Sequence, residues 1–201
     1  MITSIILAGG RSERFGRDKK FIEIKGKSFI QHVIERARKF SDEIVISLGA
    51  EEAGEIKDEP DLKVAIDEEK SKGPLVGISS ALQYCRGRYV VVLSVDSPFI
   101  EPKVFETMIR DCKGYDAVVP ILDDGTVDSL HGVYRIPKLR EACRKALESG
   151  KYAVRTMISY LNKVKFVSVD TFKEYDPDLL TFINVNTEED LEKLVELGPE
   201  N

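Results

Sequence analysis

Basic groups after a glycine pair, single carboxylates and paired amides recur at the ends of apolar runs in this chain. The first run, TSIIL, passes through Leu7 and Ala8 into Gly9 and Gly10, and Arg11, Arg14, Arg17, Lys19 and Lys20 follow at once. Glycines at such a point leave backbone N–H groups open to an oxyanion, and several guanidinium and ammonium groups can grip a polyphosphate at separate points. The loop has neither the Gly-Lys-Ser/Thr ending of a Walker loop nor a GxGxxG spacing, which removes support from the familiar ATPase and dinucleotide readings. Asp96 ends the most apolar run, VVVLSVD, where a carboxylate can hold Mg²⁺ against phosphate oxygens. Asp67 closes VAID and can accept from a base or ribose. Gly73 and Gly77 bracket the entry to a helix whose N-terminal N–H groups face the same edge. In FINVNTEEDL, a period of two puts Asn184 and Asn186 on one face of a strand end, where amides can finish a metal shell or read a ligand without adding charge. Each feature alone also has an ordinary explanation: a glycine turn, a solvated basic face, a strand-end cap, Asn-Thr turn chemistry.

These residues need elements to hold them. Strand patterns rich in Val and Ile alternate with helical ones: TSIILAGG, then SFIQHVIERARKF with Phe29, Ile30, Val33, Ile34, Ala37 and Phe40 on one stripe, then EIVISLG and LKVAID. GPLVGISSALQYC runs from a glycine turn into a helix, YVVVLSVD is a near-continuous apolar strand, and PKVFETMIRDC is a helix with proline in its first turn. Later, DAVVPIL and HGVYRI flank an acidic turn, PKLREACRKALESG is a helix with Gly150 as cap, and TEEDLEKLVEL is a helix with Thr187 as N-cap. The pattern predicts one α/β domain over residues 1–201 with a mainly parallel sheet whose ligand lies at the carboxyl ends of the strands.

The totals narrow the classes. With 201 residues, 42% of them hydrophobic and 32% charged, the chain can bury a full core. A net charge of −5 supplies no global field for nucleic acid, so an anion site must be local. Cys85, Cys112 and Cys143 have no metal-ligand spacing and read as buried, reduced thiols. Two histidines, His32 and His131, exclude a histidine-rich metal centre and leave few routes to a Ser-His-Asp triad. Met1 leads straight into a strand, with no leader pattern and no membrane span, so the expectation is a cytoplasmic protein.

Taken in order, LAGGRSERFGRDKKF, GPLVGI, VDSPF and FINVNTEEDL resemble the nucleotidyltransferases of the molybdenum cofactor guanylyltransferase family over nearly the whole chain. The resemblance implies a three-layer α/β/α fold of Rossmann-like type, Mg²⁺ dependence, GTP as donor and molybdopterin as acceptor. It implies that Leu7, Ala8, Gly9 and Gly10 form the backbone against the nucleotide, that Arg14 and Lys19 bind phosphate, and that Asp67 contacts the nucleotide. Asp96 corresponds to the family's magnesium ligand, and Asn184 and Asn186 to its asparagine pair near acceptor and metal. Phe15 stands where methionine is usual, Ser47 where some members have asparagine, and Gly132 where many have proline after the equivalent of His131. Arg14, Lys19 and Asp96 are then the catalytic set, Gly73 belongs with the nucleotide-binding residues, and transient contact with cofactor carrier or insertion proteins is expected. Other readings are nucleotidyl transfer from CTP to molybdopterin, transfer to a sugar or isoprenoid phosphate, or a non-catalytic nucleotide-binding adaptor.

Overall fold

The computed structural model describes residues 1–9, 18–52, 54–56, 58–67 and 73–199. Its centre is a seven-stranded sheet built from β1 (Ile2–Leu7), β4 (Glu43–Gly49), β5 (Leu62–Asp67), β6 (Tyr89–Ser94), β7 (Ala117–Ile121), β8 (Val133–Arg135) and β9 (Val164–Ser168). The spatial order is β5-β4-β1-β6-β8-β7-β9. β8 runs antiparallel to both its neighbours, and the other pairs are parallel. Two further short strands, β2 (Glu23–Ile24) and β3 (Lys27–Ser28), form a separate hairpin.

Strands covered on both faces must be apolar at consecutive positions, which is what the Val/Ile runs supply. Ile5 joins one core cluster and Ile6 the other, and Val90 and Val92 alternate likewise with Val91 and Leu93. Helices α1 (Phe29–Ala37), α3 (Pro102–Asp111) and α6 (Glu188–Leu197) cover one face. Helices α2 (Pro74–Leu82), α4 (Ile136–Glu148) and α5 (Val154–Ile158) cover the other, completing three layers. Cys85, Cys112 and Cys143 are buried free thiols, and burial pushes each up to about 12. Among the described residues no helix is long and apolar enough to cross a membrane.

The chain leaves β1 for β4 and β5 on one side, then crosses back through α2 to β6 on the other. A strand order that reverses in this way opens a crevice at the carboxyl ends of the strands. Register brings those ends level, with Leu7 opposite both Ser47 and Ser94, and Gly49 opposite Asp67.

Two elements depart from the expectation. FINVN is not a strand: Leu180–Phe182 is a single 3₁₀ turn, Ile183 is extended, and the residues that follow have no sheet partner among the described residues. Val185 N instead donates to the Asp96 carbonyl at 2.9 Å, tying the segment to the loop beyond β6 rather than to a strand edge. The β2–β3 hairpin lies in a stretch that carries no clear alternation; Lys25 (φ 50°) and Gly26 (φ 79°) give it the doubly left-handed turn that suits two-residue hairpins.

Candidate active site

The exit of β1 lies flush against that of β4. Ala8 N donates to the Ser47 carbonyl at 3.0 Å. A Cβ on Gly9 would stand 2.9 Å from Gly49 N and 3.3 Å from the Leu48 carbonyl carbon, so backbone crowding is what requires glycine here. Gly10, Arg11, Arg14 and Arg17 lie outside the described residues. Asp18 caps the 3₁₀ turn Lys19–Phe21 by accepting from Lys20 N.

Lys19 emerges from that turn toward β6. Its Nζ donates to Asn186 Oδ1 at 2.9 Å and lies 3.7 Å from Asp96 Oδ2, joining positions 167 residues apart. Ser94 Oγ donates to the other Asp96 oxygen and orients the carboxylate. Asn184 is held by Ser97, whose hydroxyl donates to its Oδ1 at 2.8 Å. Asn184 and Asn186 are both exposed while Val185 between them is buried, so the period of two survives although the strand does not. Thr187 caps α6 as expected, and Asp190 accepts at 2.8 Å from both Asn186 N and Thr187 N, fixing the backbone beneath the amides. A carboxylate and an amide oxygen converging on one cation are hard donors of the kind that suit Mg²⁺, which keeps several waters and adds phosphate oxygens.

A second group lies across β1. Asp67 ends β5, and Ser47 Oγ donates to its Oδ2 at 3.3 Å. Its Oδ1 is buried with no hydrogen-bond partner among the described residues. Burial raises this carboxyl above the usual range, hydrogen bonds from Ser80 and Ser47 pull it back, and the Glu52 charge raises it again. Gly77 of α2 packs on the pair: a Cβ there would lie 2.5 Å from Ser47 Oγ, 3.1 Å from Asp67 Oδ2 and 3.3 Å from Leu7 Cδ2. Gly73 (φ 90°) precedes Pro74 at the start of α2, where its left-handed backbone conformation favours glycine. The structure thus brings Lys19, Asp96 and Asn186 into contact and adds Asn184 through Ser97. It places Leu7 and Asp67 around Gly77, with Gly9 between the two groups.

Two constellations have no counterpart in the sequence reading. Lys20, counted there among the cations of the opening loop, is turned inward and fully buried between Asp18, Glu52 and Glu55. The ligand-capable oxygens of those three carboxylates lie within 4.8 Å of one another, and the Lys20 ammonium is what they enclose. His131, fully buried, has Nδ1 at 2.7 Å from Asp128 Oδ2, while its Nε2 finds no hydrogen-bond partner among the described residues. Burial alone lowers an imidazole pKa; here Asp128, and more distantly Asp96, outweigh burial and raise it. The neighbouring Gly132 has a packing reason, since a Cβ would fall 2.6 Å from the hydroxyl of Tyr134, which donates to the Ser129 carbonyl at 2.8 Å. The residue types Asp128 and His131 three apart were visible in sequence, but nothing local said that both would be buried.

Comparison with known proteins places this arrangement. The family model described as the MobA-like NTP transferase domain matches residues 4–164. A protein of Methanosarcina mazei named "Probable molybdenum cofactor guanylyltransferase" is 32% identical over 96% of this chain and 89% of its own length. One of the same name from Methanosarcina acetivorans is 31% identical over the same shares. The crystal structure of molybdopterin-guanine dinucleotide biosynthesis protein A from Archaeoglobus fulgidus superposes with a TM-score of 0.81 at 26% identity, covering 97% of both chains. With these side chains gathered at the strand ends and a match across most of its length, the chain belongs to the MobA-like NTP transferase family, that of the molybdenum cofactor guanylyltransferases.

Proposed function

We propose that this nucleotidyltransferase moves GMP from GTP to the phosphate of molybdopterin, releasing pyrophosphate, with Mg²⁺ as cofactor. The observation that carries the reading is the meeting of Lys19, Asp96 and Asn186 at the carboxyl end of β6. The names of the full-length relatives support the choice of guanine nucleotide and pterin acceptor.

The attacking group is a phosphate monoester, whose second pKa is about 6, so it is largely ionised at neutral pH without a base from the protein. What remains is to bring two anions together and to stabilise charge on the departing pyrophosphate. Lys19 places an ammonium at the strand ends for that purpose, and the family resemblance adds Arg14. Asp96 would hold Mg²⁺, which supplies charge neutralisation at phosphate oxygens when bound, while the amide oxygen of Asn186 holds the Lys19 ammonium beside it. Asp67, whose Oδ1 has no hydrogen-bond partner among the described residues, would accept from the nucleoside. The backbone from Leu7 to Gly10 would lie against the nucleotide, and Gly73 would let the start of α2 face it.

The test is pyrophosphate release from each of the four NTPs in the presence of Mg²⁺ and molybdopterin. Release confined to GTP is the expected result. Release with CTP instead, or only with a sugar or isoprenoid phosphate as acceptor, would replace the substrate assignment, and silence with every pair would replace catalysis by nucleotide binding.

A further inference from the structure

We propose that Lys20 is a positioning residue for nucleotidyl transfer: its buried ion cage fastens the end of the cationic loop so that the adjacent Lys19 is held over Asp96. The inference rests on reading Lys19 as the phosphate-binding cation.

The local geometry divides the two lysines. A 3₁₀ turn has three residues per turn, so consecutive side chains leave it about 120° apart. Lys20 points inward, to Asp18 and Glu52 at hydrogen-bonding range and to Glu55 at 3.0 Å. Lys19 points to Asn186 and Asp96. Asp18 also accepts from Lys20 N at 3.2 Å, and Ile22 N closes the turn on the Lys19 carbonyl at 3.1 Å, so the backbone carrying both side chains is tied at each end.

The cage is continuous with the strand ends. Glu52 binds Lys20 with one oxygen and accepts from Gly49 N at 2.6 Å with the other, joining the loop to the exit of β4. That second oxygen lies 3.3 Å from where a Cβ on Gly9 would stand, so it also abuts the exit of β1. Burial by itself lowers a lysine pKa, but hydrogen bonds to Asp18, Glu52 and Glu55 outweigh it and hold the ammonium above the usual lysine pKa. Lysine has a long flexible stem, and an apolar side chain could fill the same space without fixing a direction. Three carboxylates from two segments specify one seat for the Lys20 ammonium, and the residue beside it inherits that placement.

The experiment is a double-mutant cycle. Lys20→Met, Lys19→Ala and the double variant are compared in single-turnover pyrophosphate release, with the nucleotide selected by the four-NTP assay and at a temperature well below each variant's Tm. A reacting group displaced by an ångström costs about 100-fold, so Lys20→Met should lower the rate by about 10- to 100-fold while Lys19 is present. In the Lys19→Ala background it should cost less than about 3-fold, because the group it places is gone. Wild-type turnover in folded Lys20→Met, or equal losses in both backgrounds, overturns the proposal. Should Lys20→Met not fold, Glu52→Gln removes one charge of the cage at constant size, and the same non-additivity with Lys19→Ala is expected. A wild-type rate in Lys19→Ala would remove the reading of Lys19 itself, and this inference with it. A loss in Lys19→Ala beside none in Lys20→Met removes only the inference.

Discussion

Gly77→Ala tests whether α2 sets the geometry around Asp67. In an exposed helix alanine is favoured over glycine by about 1 kcal/mol, so propensity alone predicts stabilisation. Position 77 offers no such room: the new methyl would stand 2.5 Å from Ser47 Oγ and 3.1 Å from Asp67 Oδ2. Ser47 is 2% exposed, so its hydroxyl has little freedom to turn aside, and turning breaks its 3.3 Å hydrogen bond to Asp67. Overpacking costs about 1–3 kcal/mol and a hydrogen bond to a charged group about 1.5–3 kcal/mol; set against the propensity gain of about 1 kcal/mol, the net is a loss of about 3 kcal/mol. For a chain of this size that is a fall in Tm of about 6–12 °C. Urea denaturation gives the stability and NTP titration the affinity, which should weaken together because Asp67 moves. Ser47→Ala in the same chain removes the nearest clash and should recover part of the stability but not the affinity. A Gly77→Ala protein as stable as wild type, or more so, would refute the close approach of α2 to β4 and β5.

Asp96→Ala and Lys19→Ala should each lower the rate about 100-fold, equivalent to about 3 kcal/mol of transition-state stabilisation; near-normal turnover in either would remove that role. Gly9→Ala must part the exits of β1 and β4, at a cost of about 1–3 kcal/mol, and should shrink the rise in Tm that saturating nucleotide produces. Asp67→Asn should raise the Tm of the free protein at neutral pH while weakening nucleotide binding. The sign follows from a carboxyl whose folded pKa is raised chiefly by burial: its ionised form destabilises the fold once the pH has passed upward through that value, and the advantage of Asn should fade in acid, where Asp67 is protonated too. His131→Ala leaves Asp128 buried without its partner and should cost about 3–5 kcal/mol in urea denaturation. Since the folded pKa of His131 is raised and that of Asp128 lowered, the pair stabilises most between about pH 4 and 6.5, and the gap between variant and wild type should narrow as the pH rises through the folded imidazole value.

The sheet was legible because its strands are covered on both faces, which makes Ile5 and Ile6, or Val90 to Leu93, apolar without alternation. Asp67 and Asp96 could be picked out because they follow such runs, and strand ends are where an α/β sheet presents its ligand site. Partners across the fold were less accessible. Nothing near Lys19 names Asn186, and nothing near Ser97 names Asn184; ties across the fold, such as Val185 N to the Asp96 carbonyl and Glu101 N to Thr181 Oγ1, bring those segments together. Lys20 was read with its neighbours because charged residues are ordinarily exposed, whereas its burial depends on Glu52 and Glu55 from another loop. FINVN has the composition of a strand, but among the described residues it pairs with no strand to form a ladder.

The two histidines sharpen the chemical reading. Imidazole is the commonest general base for deprotonating an alcohol, although a carboxylate can also serve. His32 is 3% exposed, its Nε2 is 2.8 Å from the Ile24 carbonyl, and burial lowers its pKa. His131 is 0% exposed and committed to Asp128 through Nδ1. Neither ring reaches the surface where Lys19, Asn184 and Asn186 lie, so both are groups of the interior. A site supplied with cations, carboxylate and amides but no accessible imidazole favours an acceptor that arrives already ionised, and a phosphate monoester meets that condition at neutral pH where a sugar or alkyl hydroxyl does not.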